Sequence, residues 1–230
     1  MAGFTRPILT WQQRIDAYKN AMAEAFGNSR HFVAEMDNLV RDRQKKTEDR
    51  MAEEVNKTKP KYQMLLEADF ENQIEFDTVT GPMFYFNWAY AHAYATFELY
   101  FYKLCELYFD KQKLTTDDIK GNNSVAIFRK YIQKVCGIPT TDLEAEFNKL
   151  DDYRMIRNKI VHALSDVLGK SKEQPIEKQH LYKIVKRHGI KVDKSHHFYI
   201  DNPKFIRDFN GLAEGLLRKL VERALKAKPS

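Results

Sequence analysis

The chain has 230 residues with 38 Lys and Arg against 32 Asp and Glu, a formal charge of +6, and that mild basic excess favours polyanions without identifying one. Its 15 Phe, 12 Tyr and 2 Trp supply enough apolar bulk for a packed core, which excludes a disordered tail and leaves one elaborated domain as the expectation. Two isolated cysteines, Cys105 and Cys136, form no CxxC pair, so a disulfide framework and a thiolate metal site are not expected, and a reducing cytoplasm fits best.

Trp11, Gln12, Gln13, Arg14 and Asp16 interrupt the stretch where a signal peptide would need apolar residues, so secretion is not expected. From Thr10 to about Val55 the residues Ile15, Tyr18, Met22, Phe26, Phe32, Met36 and Leu39 repeat at helical spacing. Gly27, Asn28 and Ser29 suggest an interruption, giving two helices or one bent helix. Residues 41–61 are crowded with Arg41, Asp42, Arg43, Lys45, Lys46, Glu48, Asp49 and Arg50, the composition of a solvated helix end.

Helical periodicity fades at Phe76 to Gly81, and Gly81-Pro82 is expected to punctuate the chain. The following segment, Met83 to Phe109, is apolar on nearly every side. It is the only stretch to weigh against a membrane, and Asn87, His92, Glu98, Lys103 and Glu106 place it instead inside a helical bundle. Leu114 to Gly121 is a connection with Thr115 or Thr116 as an N-cap, and Ser124 to Val135 a short helix closed by Gly137-Ile138-Pro139.

A new helix is expected from Thr141 or Asp142 as cap, with Glu144 and Glu146 at its positive end, continuing to Leu168 before Gly169 stops it. Leu181 to His188 forms a short helix closed by Gly189. Ile190 to Val192 and Phe198 to Ile200 then pair as a small ribbon across Asp193, Lys194 and Ser195. Asn202-Pro203 starts the last helix, whose stripe runs through Phe205, Phe209, Leu212, Leu216, Leu220 and Leu225. The fold class is therefore all-α, an antiparallel bundle with residues 1–62 as a helical extension and 63–227 as the core.

Walker, dinucleotide, zincin and serine-hydrolase signatures are absent from the sequence, and no cofactor or metal is expected. The adjacent His196 and His197 would point to opposite faces of a strand, which suits a turn or surface better than a metal. His31, His92, His180 and His188 are solitary and are read as structural.

The candidate chemistry sits in Asp151-Asp152-Tyr153-Arg154-Met155-Ile156-Arg157-Asn158-Lys159-Ile160-Val161-His162. At 100° per residue Asn158 and His162 share a face with Asp151 and Met155, whereas Arg157 falls within the arc of Leu150, Tyr153, Ile160, Leu164 and Leu168. A cation there needs a partner or must reach sideways along its stem, and Glu98 on the aromatic helix is the natural partner.

Arg157, four intervening residues and His162, with polar Asn158 directly after the arginine, resemble the R-x(4 to 6)-H motif of the HEPN superfamily. The aromatic helix before the motif helix is similar too, and the likeness covers residues 84–225. It implies a metal-independent endoribonuclease in which the ribose 2′-OH attacks the adjacent phosphate. His162 would move protons, Arg157 would stabilise phosphoryl charge, and Asn158 would orient the imidazole or bind phosphate. Glu98 would support the site as the family's helix-borne acid, and Arg154 would add phosphate affinity. The likeness also implies a homodimer with two motif helices face to face, RNA as substrate, and an antitoxin or antiviral-defence partner protein. One subgroup carries a tyrosine two residues after the histidine; Ala163-Leu164 follows here, which puts tyrosine modification in doubt. The alternative reading is a non-catalytic helical interaction or nucleic-acid-binding module.

Overall fold

The computed structural model describes residues 9–162, 166–167 and 175–227, and these are mostly helical with one small antiparallel ribbon. In order they form α1 (Trp11–Lys57), α2 (Pro60–Glu75), α3 (Gly81–Glu106), α4 (Ser124–Lys134), α5 (Glu144–His162), α6 (His180–Arg187), β1 (Lys191–Val192), β2 (Phe198–Tyr199) and α7 (Lys204–Lys226). No helix among the described residues is long and apolar enough to cross a membrane.

The chain divides into two compact units of interleaved segments, one of residues 1–28, 94–151 and 210–230, the other of residues 29–93 and 152–209. The division passes through α1, α3, α5 and α7.

In the first unit Phe101, fully buried, meets the rings of Phe97, Phe128 and Phe147 at 5.7, 5.4 and 6.3 Å, so aromatic edges and faces fill its core. Tyr18 donates its buried hydroxyl to the Tyr100 carbonyl at 2.8 Å, giving that phenol the partner burial demands. Asn123 caps α4 by accepting from the Ala126 amide at 2.9 Å. The expected capping of α5 takes another form. A 3₁₀ turn, Thr141–Leu143, precedes the helix, and the Asp142 carboxylate is held by Arg223 at 2.8 and 2.5 Å. Cys105 and Cys136 are free and buried; burial pushes the Cys136 thiol up to about 12 and raises that of Cys105.

In the second unit α1 continues without a break, so the Gly27-Asn28-Ser29 interruption does not occur and the 47 residues form one helix. The turn expected at Gly81-Pro82 is absent as well. A π-helical turn, Phe76–Thr80, links α2 to α3, with the Gly81 amide donating to the Phe76 carbonyl five residues back. In that wider register the Asp77 carbonyl would await the amide that Pro82 lacks, and it accepts instead from Gln44 Nε2 at 3.1 Å. A Cβ at Gly81 would lie 3.0 Å from the Phe76 oxygen, which explains why glycine suits the position.

The Asp77 carboxylate, in a residue only 4% exposed, accepts from Arg43 at 3.2 Å, Thr47 at 2.5 Å and Gln73 at 2.9 Å. Arg43 also reaches the Tyr85 hydroxyl at 3.1 Å. Part of the charged stretch 41–61 is therefore an internal anchor and not only a solvated end, because a buried carboxylate needs donors.

The ribbon has the expected place, with Lys191 opposite Tyr199 and Val192 opposite Phe198. His196 takes φ 65 in the turn, and the Asp193 carboxylate accepts from the Ser195 and His197 amides at 2.8 and 2.9 Å. These two histidines thus shape a turn and its edge. Asn202 accepts from the Lys204 amide at 3.0 Å at the start of α7, as Asn-Pro suggests.

Candidate functional site

Helix α5 carries the motif residues. Glu144 and Glu146 occupy its first turn, Lys159 and His162 its last, a charge order that suits the helix dipole. The helix was expected to reach Leu168; it is described as far as His162, and by Asp166 the chain pairs as an extended bridge with His197, with the Val167 amide donating to the His196 carbonyl at 3.0 Å. Val167, 1% exposed, is buried there. Ala163, Leu164, Leu168 and Gly169, on which part of the helical expectation rested, lie outside the described residues.

His162 is exposed, and Arg157 and Asn158 are half-buried. Arg157 donates from Nη1 to Asn158 Oδ1 at 3.1 Å. The guanidinium therefore reaches sideways from its arc, and its planar fork is partly aligned before any ligand arrives. Asn158 was expected to orient the imidazole or bind phosphate. Its oxygen accepts from the arginine, and its Nδ2 is the part of the amide able to donate to an anion. Arg154, one turn before Asn158, is half-buried on the same helix.

Tyr90, fully buried on α3, sets the height of this segment. Its hydroxyl donates to the Tyr153 carbonyl at 2.6 Å, and its ring meets Phe205 at 4.9 Å and Phe209 at 5.5 Å. The same face of α5 therefore rests on an aromatic cluster one turn before Arg157.

Glu98 belongs to the other unit, where it is half-buried and accepts the Ser124 hydroxyl. Ser124 opens α4, so Glu98 serves the start of that helix. Arg157, Asn158, His162 and Arg154 belong together in the second unit.

A pair that sequence spacing did not single out involves another position on α5. Asp152 accepts from Arg187 Nη1 at 2.7 Å and lies 3.6 Å from His188 Nε2. The His188 ring packs on Tyr153 at 4.7 Å and Phe205 at 5.5 Å, and its buried Nε2 has no hydrogen-bond partner among the described residues. Burial lowers the imidazole's affinity for a proton below its ordinary range, with Asp152 opposing that shift and not cancelling it. A structural role for His188 agrees with this setting. Thirty-five residues separate the partners, so no local spacing could have revealed them. His31 lies 3.9 Å from Glu35 on the surface, and His92 rests 5.5 Å from the Phe32 ring.

A cavity of about 290 Å³ opens beside His188, lined among others by Arg187, Asp201, Asn202, Lys204 and Asp208. Its charged residues are ion-paired, Lys204 with Asp208 at 2.6 Å, Asp201 with Lys191 at 2.7 Å and Arg187 with Asp152 at 2.7 Å. Among the described residues no three His, Cys, Asp or Glu side chains gather as a metal-ligand set.

No protein-family model, curated protein or solved structure matches this chain.

Proposed function

We propose that this chain is a metal-independent endoribonuclease of the HEPN type, acting in the cytoplasm through Arg157, Asn158 and His162. The observation that carries the reading is the bond from Arg157 Nη1 to Asn158 Oδ1 at 3.1 Å, one helical turn in sequence before an exposed histidine on the same helix. It provides an aligned guanidinium and a solvent-accessible proton carrier, the two groups that cleavage of a phosphodiester by its own 2′-OH requires.

In this reading an imidazole accepts the 2′-OH proton as the 2′-oxygen bonds to phosphorus. The bond from phosphorus to the 5′-oxygen breaks, and a protonated imidazole supplies that oxygen with its proton. The products are a 2′,3′-cyclic phosphate and a 5′-hydroxyl, and Arg157 holds the equatorial oxygens as their charge rises. A second copy of the chain brings a second Arg157 and His162, so base and acid come from different protomers. Arg154 adds phosphate affinity. Glu98 is the supporting acidic residue. The biological setting this suits is an RNA-targeting toxin or defence effector held in check by a partner protein.

A non-catalytic helical module is the second reading, favoured by the half-burial of Arg157 and its bond to a neighbour. The test is incubation of single-stranded RNA in EDTA with the parent, His162→Ala and Arg157→Ala. Cyclic-phosphate ends from the parent, loss in both variants and inertness of the matching DNA are expected. A parent without activity, or variants that cut equally well, favours the module.

A further inference from the structure

Two aromatic rings near the start of α3 face solvent. Phe84 is 58% exposed and Trp88 73%, although aromatic side chains have the most apolar area to gain from burial. Standing four residues apart, they are neighbours on one side of the helix, about 6 Å along its axis. Phe86, Ala89 and Tyr90 are the buried residues between and beside them, so the core is filled without either ring. A lone exposed ring is ordinary, but an adjacent pair on a stretch that carries no Asp, Glu, Lys or Arg from Gly81 to Ala93 marks a surface that receives something.

Charge indicates what that is. From Tyr153 to His162, α5 carries Arg154, Arg157 and Lys159 and no acidic residue. This stretch and the start of α3 belong to the same unit, and the bond from the Tyr90 hydroxyl to the Tyr153 carbonyl joins them. Trp88 is two residues from Tyr90, Phe84 six, and Arg157 four from Tyr153, so rings and guanidinium all start within about 9 Å, along their helices, of that one bond. Flat apolar faces beside cations, with no carboxylate in either stretch, meet the two demands of a single nucleic-acid strand: its phosphates need positive charge, and its unpaired bases need a surface on which to stack. In a duplex the bases already stack on one another and leave the rings nothing to take up.

We infer that Phe84 and Trp88 form a stacking platform for unpaired nucleobases, which holds a single RNA strand whose phosphate lies at Arg157. It rests on the ribonuclease reading only in taking RNA as the strand. The platform supplies a selectivity that Arg157, Asn158 and His162 lack, since phosphate and ribose are common to single and double strands whereas an open base face is not.

A single-stranded RNA methylated at every 2′-oxygen tests it, because such a strand binds without offering a 2′-OH for attack. Stacking on the indole quenches tryptophan fluorescence, so the parent's emission falls saturably as this RNA is added and does not fall with the matching duplex. Trp88→Leu, which leaves Trp11 as the lone tryptophan, shows no such fall. Leucine keeps apolar bulk at these exposed positions and removes the π face: Trp88→Leu and Phe84→Leu keep the parental circular dichroism, and each raises the Kd for the strand about tenfold, whereas Trp88→Phe binds nearly as the parent does. An unquenched parent, equal quenching by the duplex, leucine variants that bind as tightly as the parent, or a Trp88 already shielded from acrylamide before RNA is added overturns the platform. Quenching by a parent that cuts no ordinary RNA upholds the platform and fails the ribonuclease reading, and cleavage with Trp88 unquenched does the reverse.

Discussion

Arg157 donates to the carboxamide oxygen of the very next residue, Asn158, at 3.1 Å. Neighbouring helical positions diverge by 100°, so only a long, flexible stem can turn back to make that bond. The guanidinium's place therefore depends on a residue that need not touch substrate itself.

If that dependence serves RNA cleavage, Asn158→Ala lowers the single-turnover rate about tenfold to a hundredfold. Arg157→Lys loses about 10²–10³, since an ammonium cannot reproduce the planar fork. Rates measured with saturating single-stranded RNA check both, and a parental rate in Asn158→Ala would show that the bond is incidental.

Asp77 is the acidic group on which the α1, α2 and π-turn contacts converge. Its removal by Asp77→Ala strands Arg43 and leaves Thr47 and Gln73 without their acceptor, at a cost of about 3–5 kcal/mol. Urea unfolding reads this directly. Desolvation works to raise its pKa, but the bonds from Thr47, Gln73 and Arg43 together hold it below the ordinary 3.8. The unfolded chain then binds the proton more readily, so this contribution is complete above about pH 4 and drains away as the pH falls through the lower native value. An Asp77→Asn variant lacks that component, and its acid unfolding curve is flatter below pH 4 than the parent's.

His188 contributes with its own pH dependence. Burial depresses its native pKa below the ordinary 6.5, so the unfolded state gains a proton first as the solution is acidified. Stability from the neutral ring is complete above about pH 6.5 and is lost as pH falls through the depressed native value. In His188→Phe, which keeps a ring between Tyr153 and Phe205, the melting temperature should vary less over that range than in the parent. Equal slopes for the two proteins would contradict this account.

Tyr90→Phe removes the hydroxyl that reaches the Tyr153 carbonyl and keeps the ring contacts with Phe205 and Phe209. A loss of about 0.5–1.5 kcal/mol is expected from the hydrogen bond alone. Chemical denaturation measures it, and a wholly neutral substitution would mean that water replaces the phenol without penalty.

Helical class, the course of α3, the start of α7 at Asn202-Pro203 and the small ribbon were legible in the residue pattern, because periodicity and turn chemistry are local properties. Local signals misled where the chain met a distant partner. Gly27 sits inside an unbroken helix, and Gly81-Pro82 is accommodated by a π turn whose orphaned carbonyl Gln44 satisfies from thirty-three residues away. That the chain is out of the helix by Asp166 is equally a tertiary outcome, since Asp166 is bridged to His197 and the Val167 amide donates to the His196 carbonyl.

Sequence alone determined which residue types stand at the motif and that α5 would carry them. The tertiary structure decided that His162 is exposed, that Asn158 steadies Arg157, and that Glu98 receives Ser124. Spacing along a helix specifies direction around its axis. Burial, partners and the point where the helix ends depend on surfaces contributed by residues far away in the chain, and those surfaces exist only once it has folded.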